Sequence, residues 1–484
     1  MKQKSIKLNF IMNAILQISA FIFPLITFPY VSRILGPSGT GNVSFATSIV
    51  TYFALFAQLG IPTYGIRATA RVRDDKRLLS KTVQEIFIIN AVMCVLAYIV
   101  FFVVLNLVPK MYNDRFLFII ISSTILFNSV GMDWLYKGLE KYTYITFVSI
   151  TFKFIALILM FVCVHHKNDY VIYGAISIFA ASASNICNLV NIHKLIYIKP
   201  ILNYEFTKHF RPIMIFFAMS CATTIYTNLD TVMLGFMKDN VEVGYYNAAI
   251  KIKNVLLGVV TSLGTVLLPR ASYYVENNMY SEFKRIAGKA LNFVVLISFP
   301  LCLYFILFAK EGVLFLSGDA YTEAILPMQI LMPTLIFIGL TNIMGIQMLI
   351  PLGREKVVLY SEIAGAIVDL ATNIILIPIM SSSGAAIGTL VAEGVVWLVQ
   401  YQALKETVKE SYLKIKYIPI LLGITIAGIL SYFIKFLYLN SFLTLLLSAV
   451  IFFAVYLIVL TLAKESLINE IEFQLLEKIL KKGE

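Results

Sequence analysis

Charged side chains stand near the centres of several long apolar runs in this sequence. Lys153 and Lys251 are two of them, and Asp369 and Glu393 are their acidic counterparts. A charge at the centre of a bilayer costs about 3 kcal/mol on insertion scales, so it is kept where it pairs with an opposite charge or lines a pathway. Both hypotheses stay open: structural ion pairs Lys153–Asp369 or Lys251–Glu393, or a polar route through the protein.

Amide and hydroxyl side chains recur around these charges at helical spacing. Asn247, Lys251 and Asn254 fall on one face roughly 100° wide. Asn13 and Gln17 repeat the pattern near the N-terminus. Such a stripe predicts the wall of a polar cavity. The alternative is that these polar side chains form hydrogen bonds between neighbouring helices. Further stripes are Thr146, Ser149 and Lys153; Ser220, Thr223, Thr224, Thr227 and Thr231 with Asp230 at the edge; Glu362, Asp369, Thr372 and Asn373; and Thr389, Glu393, Trp397 and Gln400.

The runs that carry these residues are long enough to cross a membrane. Of the 484 residues, 59% are hydrophobic and 14% are charged, whereas a soluble domain averages about 45–50% and about 25%. A spanning helix needs roughly 20 apolar residues, and fourteen runs qualify. The sequence therefore predicts an all-α integral membrane protein with about 14 transmembrane helices. The predicted spans are 8–31, 42–61, 84–107, 115–136, 143–164, 171–191, 212–236, 243–268, 291–309, 325–350, 357–379, 384–404, 417–438 and 441–463.

Patterns that would support catalysis or a bound metal do not occur. The sequence has no Gly-x-x-x-x-Gly-Lys phosphate loop. Its five cysteines are widely spaced within apolar runs, and its four histidines show no metal-ligand spacing. A membrane-bound transferase or polymerase would need acidic residues in an early outer loop or one large outer loop, and the sequence offers neither. We therefore predict a transport protein without catalytic residues or a cofactor.

Lys and Arg residues alternate from one side of the predicted membrane to the other. The N-terminal segment and every second loop are rich in them, and the loops between are nearly bare. Basic loops mark the cytoplasmic side, so both termini are predicted to lie in the cytoplasm, with the chain in the inner or plasma membrane. The net charge of +12 comes from these loops rather than from a basic patch on a soluble module, so no nucleic-acid partner is predicted.

The two halves of the chain share spaced residues. Gly41 precedes Arg67-Ala68 by twenty-six residues, and Gly244 precedes Arg270-Ala271 by the same distance. The repeat predicts two parallel, pseudo-symmetric six-helix lobes around a central cavity, an arrangement typical of alternating-access transporters. The predicted divisions are 1–198 for the N-terminal lobe, 199–211 for a cytoplasmic linker, 212–405 for the C-terminal lobe, 406–463 for helices 13 and 14, and 464–484 for a cytoplasmic amphipathic tail with a candidate surface helix at 468–480.

Three motifs point to a known family. They are Phe23-Pro24-Leu25-Ile26-Thr27-Phe28-Pro29-Tyr30 followed by Arg33-Ile34-Leu35-Gly36-Pro37; Asp133-Trp134-x-x-Lys137-Gly138-x-Glu140; and Asp230-x-x-Met233-Leu234-Gly235 with Val243-Gly244-Tyr245-Tyr246. Together they resemble the polysaccharide repeat-unit flippases, the polysaccharide transporter branch of the multidrug/oligosaccharidyl-lipid/polysaccharide exporter superfamily. Gln is more usual in that family where Lys137 stands. The resemblance runs from residue 1 to about 405.

This resemblance implies a substrate and partners. The substrate would be an undecaprenyl-diphosphate-linked oligosaccharide, moved from the inner to the outer leaflet for a capsule or O-antigen type of polysaccharide. Membrane lipids and the polysaccharide polymerase machinery would be partners. Two related activities stay open: a peptidoglycan-precursor flippase shares the fourteen-helix plan, and a multidrug or metabolite antiporter belongs to the same superfamily. The midspan lysines disfavour the antiporter, which would carry an acidic cavity.

The implied substrate assigns roles to the polar stripes. Lys153 and Lys251 would hold the diphosphate or an acidic sugar through charge-assisted bonds. Arg33, near the outer mouth, would receive the head group next or simply snorkel to the interface. Residues whose amides suit sugar hydroxyls are Asn13, Gln17, Asn247 and Asn254. Candidates for coupling to a proton or cation gradient are Asp369, Glu393 and Asp230.

Overall fold

The computed structural model describes residues 6–201, 203–262 and 264–469. Within these ranges the chain is helical and has no β-strand. Short 3-10 helices cover Lys167–Asp169, Ile192–Lys194, Asp319–Ala324 and Phe433–Leu437, and a π-helix covers Asn342–Leu349. The α-helices, in chain order, are α1 Ile6–Gln58, α2 Ile61–Arg71, α3 Lys76–Leu107, α4 Pro109–Asn113, α5 Arg115–Val130, α6 Asp133–Gly138, α7 Tyr142–Cys163, α8 Tyr170–Ser182, α9 Ser184–Asn191, α10 Thr207–Met237, α11 Asn240–Thr261, α12 Gly264–Glu276, α13 Tyr280–Leu307, α14 Ala309–Ser317, α15 Ile325–Leu331, α16 Thr334–Thr341, α17 Glu355–Lys414, α18 Tyr417–Tyr432 and α19 Ser441–Leu462.

The chain divides into two compact units. Unit 1 is Met1–Gly244 and unit 2 is Tyr245–Glu484. Helix α10 packs against α1 and α2 and so belongs to unit 1. The lobe limits predicted from the repeat, with a linker at 199–211, stay a prediction. The predicted amphipathic tail lies outside the described residues beyond position 469.

Helix α1 reverses direction at Gly36, where φ is 66° and the backbone leaves the helical region. Before the reversal α1 runs parallel to α7, since Thr146 bonds to Met12 and Lys153 bonds to Ser19 at the same sequence offset. After it, α1 runs parallel to α8, because Gly39 lies beside Tyr170 and Val43 lies beside Gly174 at the same sequence offset. Helices α7 and α8 are antiparallel neighbours joined by a short turn. The two arms of α1 are therefore two separate spans.

Helix α17 reverses in the same way at Ser381, where φ is 50°. Gly384 meets the backbone of Leu376 close to the turn, and Gln400 donates to Ser361 far from it at 3.1 Å. Contacts that spread evenly from the turn identify an antiparallel helical hairpin. The predicted breaks at 32–41 and 380–383 contain Gly36 and Ser381, so the hydropathy pattern located both reversals.

The described residues contain ten helices that are long and apolar enough to cross a membrane, or eleven if the bent pair Asp319–Leu331 and Thr334–Leu349 is one span. Two of the ten, Ile11–Arg71 with 61 residues and Glu355–Lys414 with 60, contain the reversals and are each long enough for two spans. The multi-pass, all-helical fold is confirmed. The total of fourteen spans stays a prediction, since the stretch from α11 to α12 is interrupted by residue 263, which is not described.

Candidate functional site

Unit 1 encloses a polar cavity of about 390 Å³. Its wall comes from α1, α2 and α5 to α9 and combines one acidic and two basic side chains with amides, hydroxyls and the Trp134 ring. The volume lies in the range of about 300–1,000 Å³ that is usual for small-molecule sites. The lining residues are Leu16, Gln17, Ala20, Gln58, Pro62, Asn128, Asp133, Trp134, Lys137, Ile145, Ser149, Lys153, Ala181, Ser184, Asn185 and Asn188.

The two lysines of this cavity differ in their partners. Lys137 Nζ lies 2.6 Å from Asp133 Oδ2, one helical turn away, so its charge is neutralised locally. Lys153 is half-buried, and its Nζ donates to the neutral Ser19 hydroxyl at 2.8 Å. Among the described residues of unit 1, no carboxylate lies within 4.0 Å of Lys153 Nζ. Lys153 therefore gives the cavity a positive charge that an anionic ligand can meet.

Close backbone approaches place the motif residues of α6 in the wall. A Cβ at Gly65 would lie 2.5 Å from the Trp134 ring, so only glycine lets α2 support that ring at this distance. Gly131 similarly makes room for the Asn185 side chain, whose Nδ2 donates to Asn128 Oδ1 at 3.2 Å. Trp134 and Asn185 are buried, so the amide and the ring form a preorganised part of the wall.

A second cavity of about 330 Å³ adjoins the first within unit 1. The two share Gln58, Pro62, Asn128 and Ala181. The second cavity is less charged and adds hydroxyl groups. These hydroxyls belong to Thr47, Thr51, Thr124, Ser220 and Thr224. Ser220 and Thr224 come from the polar stripe of α10, which the sequence identified.

The predicted residues of α11 lie in different environments. Lys251 and Asn247 are half-buried, whereas Asn254 is exposed. Lys253, which lies off the polar face formed by Asn247, Lys251 and Asn254 at 100° per residue, is 8% exposed and therefore buried. Since burial depends on what packs against a helix, the spacing within α11 alone could not reveal it.

The predicted acidic residues of unit 2 lie on the α17 hairpin. Asp369, 1% exposed, is on the first arm, and Glu393, 7% exposed, is on the second. A Cβ at Gly388 would lie 2.9 Å from Asp369 Oδ1, so this glycine lets the second arm approach the carboxylate. Near it, the Thr389 and Tyr246 hydroxyls are 2.8 Å apart. The hairpin thus holds two carboxylates in a buried, polar environment.

The remaining predicted residues belong to unit 1. Gln17 lines the first cavity, and Asn13 is half-buried one turn earlier on α1. Arg33 is exposed, and its guanidinium donates to the carbonyl of Pro29 on the same helix. Asp230 is 7% exposed on α10. The structure therefore brings Gln17 and Lys153 together in one cavity.

Sequence reasoning missed part of the cavity wall. It did not assign a site role to Gln58, Asn185 or Asn188, although the last two stand three residues apart and so on one helical face. Asp133, Trp134 and Lys137 had been noted only as a family motif. Scoring amide spacing in the sixth predicted span, as was done in the first, would have found Asn185 and Asn188.

Solved structures with the same fold are transport proteins. Lipid II flippase MurJ in an inward closed conformation matches with a TM-score of 0.72 at 17% identity, over 94% of this chain and 98% of that one. An inward-facing multidrug resistance MATE family transporter matches with a TM-score of 0.62 at 12% identity, over 84% and 99%. At these identities the likeness is one of fold. Together with the apolar spans, it defines an all-helical, multi-pass membrane protein.

Sequence comparison narrows this class to a family. Residues 6–275, more than half of the chain, match the family described as polysaccharide biosynthesis protein, and residues 215–392 match the MatE family. Two relatives carry the provisional name O-antigen transporter. The one from Escherichia coli strain K12 is 26% identical over 80% of this chain and 94% of its own length, and the one from Shigella dysenteriae is 27% identical over 83% and 100%. The chain belongs to the polysaccharide biosynthesis protein family, which confirms the resemblance seen in its motifs.

Proposed function

We propose that this chain is a flippase for undecaprenyl-diphosphate-linked oligosaccharides. It would carry them from the cytoplasmic to the outer leaflet of the cell membrane by alternating access, for a capsule or O-antigen type of surface polysaccharide. The observation that carries this proposal is the unit 1 cavity, in which Lys153 lies among amide and hydroxyl side chains and has a neutral hydrogen-bond partner. The names of the two O-antigen transporter relatives support the same substrate class.

The chemistry of the wall fits this substrate. Each amide of Gln17, Gln58 and Asn128 offers donors and an acceptor, as sugar hydroxyls require. Trp134 supplies an apolar ring face for the C–H side of a sugar. A lysine ammonium binds phosphate or a sugar carboxylate as a compact point charge. In this proposal Lys153 holds the acidic part of the head group while the lipid tail remains in the bilayer.

Other residues have secondary roles in the proposal. Lys251, Asn247, Asn254 and Asn13 would also bind the head group, and Arg33 would receive it at the outer mouth. Asp369 and Glu393 on the α17 hairpin, with Asp230 on α10, would couple transport to a proton or cation gradient. Both termini would lie in the cytoplasm, and the polysaccharide polymerase machinery would take the product in the outer leaflet.

The test replaces Lys153 in a strain that lacks its own flippase. Lys153→Ala should reduce polymer export about 10-fold or more, the equivalent of one charge-assisted bond, and lipid-linked repeat units should accumulate in the inner leaflet. Lys153→Arg should retain most export because it keeps the charge. Lys167→Ala, an exposed lysine of the same unit, is the matched control.

Protein levels in the membrane decide how a loss is interpreted. Normal Lys153→Ala levels with reduced export support the binding role, whereas a parallel fall in protein level contradicts it. Full export from the double variant Lys153→Ala, Lys251→Ala would overturn the proposal that a midspan charge holds the head group. Restored growth of a strain that lacks its peptidoglycan-precursor flippase, without polymer export, would instead assign that precursor as substrate.

A further inference from the structure

Unit 1 also contains a groove of about 560 Å³ beside the start of α3. It shares no lining residue with the two polar cavities of this unit. Its walls come mostly from the segment that follows α9, and they combine apolar side chains with basic ones. The residues that line this α3 groove are Arg77, His193, Ile196, Tyr197, Ile198, Lys199, Pro200 and Ile201.

One glutamine holds the backbone of this segment. Gln84 on α3 donates to the carbonyl oxygens of Tyr197 and Lys199 at 2.8 and 3.0 Å. Its Oε1 accepts from the backbone N–H of Ile201 at 3.0 Å and from the Tyr204 hydroxyl at 2.9 Å. The amide therefore uses both of its donors and both of its acceptor positions. These four bonds fix the wall of the groove against α3.

A buried network fixes the next part of the chain. Glu85 is fully buried and accepts from the backbone N–H of Glu205 at 2.7 Å. His209 Nε2 and Lys208 Nζ lie 2.8 and 3.0 Å from its second carboxylate oxygen. On the other side of the His209 ring, the Tyr64 hydroxyl lies 2.6 Å from Nδ1. The groove is therefore a preformed surface, and a ligand would not have to order its walls.

The fixed backbone presents apolar side chains at the surface. Ile196 is 5% exposed and packs inward, whereas Tyr197 and Ile198 are 51% and 65% exposed. Together with Pro200 and Ile201 they make one side of the groove apolar. An apolar wall beside basic groups matches a ligand that carries both a hydrocarbon chain and an anion, rather than a fully polar anion.

The groove lies at the ends of membrane-spanning helices. Arg77 is the second residue of the span Lys76–Leu107, and His193 is the last but one of the span Lys167–Lys194. The next span, Thr207–Met237, begins shortly after the groove segment. Because headgroups occupy about 5–8 Å beyond the hydrocarbon on each side of a bilayer, the groove lies at headgroup level. Its side of the membrane is the one that the Lys and Arg pattern predicts to be cytoplasmic.

Basic side chains stand at the rim of the groove. Arg77 and Lys199 are exposed, and among the described residues no carboxylate oxygen lies within 4.0 Å of a side-chain nitrogen of either. Two carboxylates precede α3, and neither lines the groove. Asp75 caps the helix, its Oδ1 accepting from the backbone N–H of Arg77 at 2.8 Å, and Asp74 is exposed. The rim can therefore attract an anion from the membrane surface.

We propose that the α3 groove binds an anionic phospholipid of the surrounding leaflet. Arg77 and Lys199 hold its phosphate through charge-assisted hydrogen bonds. One acyl chain lies along Tyr197 and Ile198 and continues into the bilayer. Because Gln84 ties this wall to α3, the bound lipid stabilises the contact between α3 and the segment that leads to α10. The site is separate from the two polar cavities and does not depend on the proposed substrate.

The test measures thermal unfolding of the purified full-length chain in dodecyl maltoside micelles. Dioleoylphosphatidylglycerol should raise the unfolding midpoint by about 3 °C or more, as expected for a ligand well above its Kd, and dioleoylphosphatidylcholine should not. Arg77→Ala, Lys199→Ala should raise the half-saturating concentration of phosphatidylglycerol about 10-fold or more. Ile198→Ser, which keeps every cation but removes part of the apolar wall, should raise it about 5-fold.

The matched control is Lys405→Ala, Lys409→Ala, which removes two exposed lysines from the end of α17 on the same predicted side. It should bind phosphatidylglycerol as wild type does. All these side chains are exposed, so the lipid-free midpoints should agree to within about 1 °C. Should the groove double variant fall further, Arg77→Gln, Lys199→Gln takes its place.

Equal shifts with phosphatidylcholine, or wild-type binding by the double variant of Arg77 and Lys199, would overturn the proposal. Wild-type binding by Ile198→Ser would contradict the position given to the acyl chain. An equal shift with inorganic phosphate would show that the groove binds the anion without a lipid. A groove-dependent shift with farnesyl diphosphate but not with phosphatidylglycerol would replace the phospholipid by a prenyl diphosphate.

Discussion

The corners at the start of α3 and α13 are built from helices at equivalent places in the predicted repeat, yet they have opposite electrostatics. Both helices have a cation at their sixth position, Lys81 and Arg285. At the tenth position Glu85 is fully buried, whereas Lys289 is exposed. The two helices thus place side chains of opposite sign and different burial at the same position. Two copies of a repeated scaffold can therefore differ in which of their polar residues stabilise the fold.

The largest expected effect is the loss of the buried network in unit 1. Glu85→Gln removes the carboxylate that accepts from the buried His209, and it leaves Lys208 with only Glu205, at 3.8 Å. Leaving a buried polar group without its partner costs about 1–3 kcal/mol, and more for a charged group, so the unfolding midpoint in detergent should shift clearly towards lower temperature. Lys289→Gln, the same position in unit 2, should change stability by less than about 0.5 kcal/mol because the side chain is exposed. Equal losses in the two variants would show that the corners do not differ.

An intermediate effect is expected from substitutions of the buried carboxylates of unit 2, Asp369 and Glu393. They contrast with unit 1, whose cavity is lined by the cation Lys153. If Asp369 carries the coupling, Asp369→Asn should reduce transport about 10-fold and make the remainder insensitive to an imposed gradient. Glu393→Gln tests the second arm of the hairpin, and Glu406→Gln, exposed on the same helix, is the control. The measurement is flipping of a lipid-linked oligosaccharide in proteoliposomes with and without a proton or sodium gradient. Full, gradient-dependent transport by both Asp369→Asn and Glu393→Gln would exclude them as coupling sites.

The smallest expected effect is on stability at acid pH. It compares a buried carboxylate of unit 2, Glu465, with an exposed carboxylate of unit 1, Glu205. Glu465 in unit 2 and Glu205 in unit 1 both have a lowered pKa; for Glu205 the cause is the hydrogen bond from Lys81, helped by the charge of Lys208. A lowered pKa means that the carboxylate stabilises the fold near neutral pH and that this contribution is lost as the pH falls below about 4.5. Glu465→Gln should therefore lower stability at pH 7 by about 1 kcal/mol and flatten the acid limb of the unfolding profile.

Glu205→Gln should leave the acid limb almost unchanged, because Glu205 is largely exposed and its ion pairs are screened by solvent. The profiles are obtained from unfolding midpoints between pH 3.5 and 7. An equal loss of stability with falling pH in wild type and Glu465→Gln would contradict the stabilising role of this buried, hydrogen-bonded carboxylate.

Local patterns predicted the helical class, the family and the breaks at Gly36 and Ser381, because hydropathy and motif spacing are properties of short segments. The same patterns placed Gln17 and Lys153 on polar faces, and the structure brings both into one cavity. They could not show that Lys253 is buried, since burial depends on what packs against the helix. The hydrogen bond between Asn292 and Glu465 also escaped prediction, because the two residues are more than a hundred positions apart in the sequence.

The reversal at Ser381 has a mechanical consequence for the residues on either side of it. A single non-helical residue joins the two arms of α17, and Gly384 lies against the backbone of Leu376 beside the turn. Because the connection is so short, neither arm can move along its axis independently of the other. We therefore expect the hairpin to move as one rigid unit, with Asp369 on one arm and Glu393 on the other. Any tilt that moves one carboxylate must move the second in step.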